Sequence, residues 1–194
     1  EKGNEDPRRP IKHEYAPTKQ GFNRWSWDLK SEDVPCIDDI MIHGGYDGPS
    51  VAPGKYTARL KLGSATAQAS FMVVNDPRSF ASEEQIARWS EALADVKEKL
   101  TAVLLTLDDA RQARDQIALL TSQHDNARLR ALGEQAVAGI DAWEEKITQL
   151  KFETYEDEDA WPTMIDGQLR FLMDTIDDSG APVTDGMRTR QTDL

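Results

Sequence analysis

The feature that most constrains this chain is a change of hydrophobic period at Asn75-Asp76-Pro77-Arg78. Before it, Gly54-Lys55-Tyr56-Thr57-Ala58-Arg59-Leu60-Lys61-Leu62 alternates apolar and polar residues with period two, as a half-buried strand does. After it, Ile86, Trp89, Leu93, Val96, Leu100, Val103, Leu107 and Ala110 recur at steps of three and four, which places them on one helix face. A chain that switches period once, at an Asn-Asp-Pro turn, is expected to join a small β module to a helical region.

Within the β part, residues 22–29 alternate, with Asn23, Trp25, Trp27 and Leu29 on one face and Phe22, Arg24, Ser26 and Asp28 on the other. Aromatics on both faces predict a strand inside a sandwich or against another domain. Residues 30–53 hold Pro35, Gly44, Gly45, Gly48, Pro49 and Pro53 and predict a long irregular connection, with one short strand at residues 40–42. Gly63-Ser64 then supplies a two-residue hairpin turn, and residues 65–74 return with Phe71 and Val73 inward. An Ig-like sandwich takes about seven strands and roughly 100 residues, more than residues 21–76 provide. The module is therefore expected to be incomplete, its first strands lying upstream of Glu1 or coming from another polypeptide.

The helical part is more sharply written. Ser82-Glu83-Glu84-Gln85 fits a capping box, and the apolar stripe behind it runs to Ile117 and Leu120, interrupted by Arg114, without Gly or Pro. Thr121-Ser122-Gln123-His124 reads as the link, and Asp125 as the cap of a second helix with the stripe Leu129, Leu132, Ala136, Ile140, Trp143, Ile147 and Leu150. A short link predicts an antiparallel pair, with Trp89, Leu93, Val96, Leu100 and Leu107 against Leu132, Ile140, Trp143 and Ile147. Residues 151–161 form an acidic loop. Met164, Ile165, Leu169, Leu172 and Ile176 mark a third helix, and Thr184 caps a fourth. The expected class is α+β: a partial Ig-like antiparallel sandwich over 21–76, then a helical hairpin and shorter helices over 79–194. Residues 1–20, charged and nearly free of large apolar side chains, read as an exposed loop or linker.

Composition narrows the function classes. The formal charge of −12 argues against nucleic acid, which needs a basic stripe. From Glu153 onward there are eleven Asp and Glu against three Arg, a net of −8, favouring a solvated acidic face over a cation site. No apolar run approaches the ~18 residues of a membrane span. Cys36 is alone, which excludes an internal disulfide. The chain opens on Glu1-Lys2-Gly3 without Met, and is expected to be a processed or excised piece.

Residues with chemical potential are few. Trp25, Trp27 and Tyr46, with Tyr56, are the candidates for an aromatic ligand platform, against the favoured reading of sandwich core. Asp28, Asp38, Asp39, Asp47 and His43 offer oxygen and nitrogen donors to a cation, yet no D-x-[DN]-x-[DN]-G loop is present. His13, His43 and His124 stand apart without an H-x-x-x-H or C-x-x-C partner, so no metal site is expected. Asp108-Asp109 and Glu144-Glu145 can face one another across the hairpin, but the E-x-x-H element of di-metal bundles is missing. Ser26 lacks the G-x-S-x-G setting of a nucleophile, and Gly44-Gly45 with Gly48 lacks the spacing of a phosphate loop. No catalytic residue and no cofactor is assigned.

Three motifs carry a resemblance. Gly21-Phe22-Asn23-Arg24 through Trp27-Asp28-Leu29, then Val51-Ala52-Pro53-Gly54-Lys55-Tyr56-Thr57-Ala58-Arg59-Leu60, then Val74-Asn75-Asp76-Pro77-Arg78 resemble the C-terminal region of bacterial BNR-repeat, sortilin-like (VPS10-type) β-propeller proteins, often labelled glycosyl hydrolases. In that family an Ig-like or FlgD-like β domain and a helical tail follow the propeller. The resemblance implies an exported protein (periplasm, cell surface or extracellular) whose propeller lies outside this chain. The propeller's Asp-box repeats have no match here. The expectation is a non-catalytic structural or interaction module, partnered by the upstream propeller segment or by another chain that supplies strands, with homo- or hetero-oligomers open. The alternative is an accessory substrate-binding part of a secreted glycoside hydrolase or peptidase.

Overall fold

A computed structural model describes residues 16–194. Its class is α+β, with one two-stranded antiparallel sheet and four helices among those residues. Strand β1 (Gly54–Leu62) pairs with β2 (Ala65–Val73) in the register Tyr56↔Phe71, Ala58↔Ala69, Leu60↔Ala67 and Leu62↔Ala65. Gly63 carries the turn at φ +58°, where a side chain is strained. The junction after β2 is clamped by Asp76, whose Oδ2 lies 2.6 Å from Arg78 Nη2. The helices are α1 (Glu83–Gln123), α2 (Ala127–Ile147), α3 (Ile165–Ser179) and α4 (Asp185–Asp193), with a 3-10 turn at Tyr155–Asp159 before α3.

The helix starts follow their sequence signals. Ser82 Oγ accepts from the Gln85 N–H at 3.2 Å, and Gln85 Oε1 accepts from the Ser82 N–H at 2.9 Å, so the capping box forms as expected. Helix α1 then runs 41 residues. It continues through Gln123, and α2 is capped by Asn126 rather than Asp125, because Asn126 Oδ1 reaches the N–H groups of both Arg128 and Leu129. Thr184 caps α4 through the Met187 N–H.

Helices α1 and α2 are antiparallel, with Gly133 against Thr121, Asp141 against Arg114 and Glu144 against Arg111. At about 1.5 Å per residue, α2 runs back along only half of α1. The expected pairing of Trp89, Leu93, Val96 and Leu100 with α2 is therefore not the one observed. The buried proximal half of α1 is packed by α3 instead, where the Trp89 indole donates to the Ile176 carbonyl at 2.8 Å and Leu169, Leu172, Met173 and Ile176 are buried. The third wall is unexpected. Val34, Ile37, Ile40, Ile42 and Tyr46, from the irregular connection, join α1 and α3 in one core cluster. The core thus runs across the expected boundary between β module and helices.

The sandwich is not present among the described residues. Residues 22–29 form no strand, and the segment touches a ladder only through the single bridge Lys30↔Ser50. Leu29 at φ +64° breaks the extended run, and although its carbonyl accepts from the Val51 N–H at 2.9 Å, no ladder continues back towards Phe22. Residues 40–42 are buried without forming a strand. Of the linker expected over residues 1–20, residues 16–20 are exposed, while residues 1–15, His13 included, lie outside the described residues.

Candidate functional site

The period-two alternation of β1 makes the hairpin amphipathic. One face presents Lys55, Thr57, Arg59 and Lys61 beside Met72, Ser70, Gln68 and Thr66, polar but for Met72. The other presents Tyr56, Ala58, Leu60 and Leu62 beside Phe71, Ala69, Ala67 and Ala65, and Leu60, Leu62 and Phe71 are all exposed. Since the sheet has two strands, each strand also has an unpaired outer edge among the described residues. Residues 54–73 contain three cations and no carboxylate, a local +3 in a chain of −12. An apolar face, two open edges and a charge opposite to that of the whole chain coincide on one hairpin.

At the root of this face lies an aromatic cluster. Trp27 sits 5.5 Å from the Tyr56 ring, tilted by 59°, and 6.1 Å from Phe71, edge-on at 76°. Both polar ends of the cluster are tied to backbone, the Trp27 indole N–H donating to the Lys30 carbonyl at 2.8 Å and the Tyr56 hydroxyl to the Ala52 carbonyl at 2.6 Å. The three sequence candidates separate. Trp25 is 56% exposed, Trp27 is half-buried in the cluster, and Tyr46 is buried in the core with its hydroxyl donating to the Ile40 carbonyl at 2.9 Å. Burial, then Cys36 and Asp166 nearby, push the Tyr46 phenol well above its ordinary pKa. Trp27 and Tyr46 both line one open groove of about 660 Å³ along residues 27–36, and Trp25 is not among its lining residues.

The acidic candidates are dispersed. Asp47 Oδ2 pairs with Lys30 Nζ at 3.1 Å, Asp28 accepts from the Lys30 N–H at 3.0 Å, and His43 Nδ1 lies 3.2 Å from Glu158 Oε2. Among the described residues no group of three His, Cys, Asp or Glu is placed to hold a metal ion. Glu144 does not meet Asp108 across the hairpin; Arg111 and Arg114 hold it instead. The signal for this was present, since Glu144 stands between Ile140 and Ile147 at steps of four and three, inside the apolar stripe.

A second buried carboxylate, Asp166 in the first turn of α3, also falls on a core stripe, followed at three, seven and ten residues by Leu169, Met173 and Ile176. Burial raises its pKa to about 6, while the Thr148 hydroxyl and the Gly167 N–H draw it partly back. The Gly167 N–H donates to Oδ1 at 2.6 Å. Thr148 Oγ1 and Asp166 Oδ2 are both buried without a well-formed hydrogen bond, so the hydroxyl acts on the carboxyl at loose geometry. A second carboxyl on α3, Asp174, is also raised by burial, against the pull of the Arg170 guanidinium 2.8 Å away. Among the described residues no helix is long and apolar enough to cross a membrane. No protein-family model, curated protein or solved structure matches this chain.

Proposed function

We propose that this chain is a non-catalytic structural and interaction module, the C-terminal part of an exported BNR-repeat, sortilin-like β-propeller protein. Its hairpin Gly54–Val73 is half of an Ig-like sandwich that strands from the rest of the parent polypeptide complete. The observation that carries this reading is the hairpin's bare apolar face, with Leu60, Leu62 and Phe71 exposed above the Trp27–Tyr56 cluster. A two-stranded ribbon with an open apolar face is marginal alone and gains stability when a second layer covers it. The cluster of Trp27, Tyr56 and Phe71 is the beginning of that layer's core. The hairpin is held at its root by Trp27 against Tyr56 and Phe71 and by the Tyr56 hydroxyl donating to the Ala52 carbonyl.

Amide hydrogen exchange on this chain and on the full parent polypeptide tests the reading. Residues 54–73 are expected to gain protection in the parent, and Leu60→Lys with Leu62→Lys to remove that gain while the helices keep theirs. Equal exchange of the hairpin in both settings overturns the proposal. The accessory substrate-binding reading is favoured by one observation, the exposed Trp25 beside the groove that Trp27 lines. Quenching of tryptophan fluorescence by an oligosaccharide panel, abolished by Trp25→Ala, is the outcome that selects it.

A further inference from the structure

We infer that the groove between α3 and α4 binds a small monocarboxylate with an apolar body, its carboxylate on Arg190 and its hydrocarbon over Phe171 and Met187. The groove holds about 590 Å³, and is bounded by the two helices, by Thr163 and by the pair of His43 with Glu158. That volume falls in the range of small-molecule sites. The groove shares no lining residue with the β hairpin or with the groove along residues 27–36.

The two helices build it by what they leave uncovered. α3 spends Leu169, Leu172, Met173 and Ile176 on the core, and Phe171 falls outside that stripe, 71% exposed. α4 lies back along α3, so that Arg190 near its end reaches Gln168 near the start of α3. This places half-buried Met187 of α4 on the same groove as Phe171 and Leu172. On the far side Asp174 is half-buried, and burial raises its carboxyl even beside the Arg170 guanidinium. A cleft with an apolar floor and a carboxyl perturbed by desolvation is where charge pairs gain strength over bulk water.

The charges of the groove select the ligand. Asp174 Oδ1 is held by Arg170 Nη2 at 2.8 Å, and Glu158 Oε2 lies 3.2 Å from His43 Nδ1. Arg190 differs, because its Nη2 donates to a neutral amide, Gln168 Oε1, whose own Nε2 donates to the Thr163 carbonyl at 2.7 Å. Gln168 therefore positions the guanidinium without neutralising it, whereas Arg188, two residues earlier, has Asp185 as its partner. A planar guanidinium with donors to spare matches a carboxylate in shape and charge. An ammonium ligand would meet that cation and find both carboxylates already engaged. An uncharged ligand would gain the apolar floor alone.

Titration of the isotope-labelled full chain with octanoate, followed by amide chemical shifts, tests this against octanol and octylammonium as probes. Octanoate is expected to bind in the range of about 0.1–1 mM, with shifts centred on residues 167–175 and 186–190. Octanol should bind the same residues more weakly, and octylammonium more weakly still. Arg190→Gln should weaken octanoate about tenfold and leave octanol as it is. Phe171→Ser should weaken both, and circular dichroism should show each variant as helical as the parent. Absence of localised shifts up to about 5 mM octanoate overturns the inference. So do shifts centred elsewhere, octylammonium binding as tightly as octanoate, or an octanoate affinity that Arg190→Gln does not move.

Discussion

The Glu144 carboxylate sits against Arg111 across the helical hairpin, with Oε1 2.7 Å from Nε and 2.6 Å from Nη2. Arg114 Nη1 closes the other side at 3.1 Å from Oε2, and Glu144 is only 2% exposed. This buried triad sits where the three-walled body ends and the two-helix arm begins. Removing Glu144 would leave two guanidinium groups facing each other in a part-buried seam. Glu144→Ala is expected to lower stability by about 3–5 kcal/mol, while the triple change Glu144→Leu, Arg111→Met, Arg114→Leu should be near neutral. Urea unfolding of both variants checks the pair, and a mild Glu144→Ala would show the triad to be dispensable.

Leu100 is fully buried under α3, whereas Leu132 stands open on the arm. Leu100→Ala is therefore expected to cost about 2–5 kcal/mol, and Leu132→Ala within about 0.5 kcal/mol of nothing. Equal melting temperatures for the two variants would contradict the division of the helical part into a covered base, holding Leu100, and an open end, holding Leu132.

Gly133 and Thr121 set how closely α1 and α2 approach. Gly133→Ala gains about 1 kcal/mol of helix propensity, but its methyl lands on Thr121 Cγ2. The expected net loss is about 1–3 kcal/mol, as for overpacked sites. Thr121→Ser removes that methyl and keeps the hydroxyl that donates to the Ile117 carbonyl at 3.0 Å. The double variant should regain most of the loss, so a double-mutant cycle with no coupling would refute the contact.

Asp166 makes stability pH-dependent in an unusual direction. Its carboxyl is raised from 3.8 to about 6 by burial, so between those values the folded state holds a proton that the unfolded state has released. The stability contributed by the neutral acid is full below about pH 4, declines as pH rises to 6, and stays lost above that. A shift of this size corresponds to on the order of 3 kcal/mol. Asp166→Asn should be nearly as stable as the parent at pH 4 and more stable by about that amount at pH 7. A stability difference independent of pH would exclude a raised carboxyl.

Local elements were legible in the residues because local forces build them. The capping box at Ser82 and Gln85, the turn glycine at Gly63 and the Gly- and Pro-free run of α1 specify their own start, turn and continuation through groups a few residues apart. Periodicity also named which side of α1 is apolar, from Trp89 to Leu107. It could not name what covers that side, because an apolar stripe is attracted to any apolar surface, and α2, α3 and residues 34–46 all offered one. The tertiary structure decided it by length. α2 ends at Ile147, half-way back along α1, and α3 with Ile40, Ile42 and Tyr46 fills the remainder. The same long-range packing buried Glu144 between two arginines and Asp166 near Thr148, two acids whose places on apolar stripes marked them for the core. It left Leu60, Leu62, Leu120 and Leu132 in water, since no element of the described chain reaches them. What the residues determined alone was the β hairpin and the four helices with their apolar faces, but not the fate of residues 22–29 and 40–42, which form no strand; which faces meet depended on contacts between segments distant in sequence.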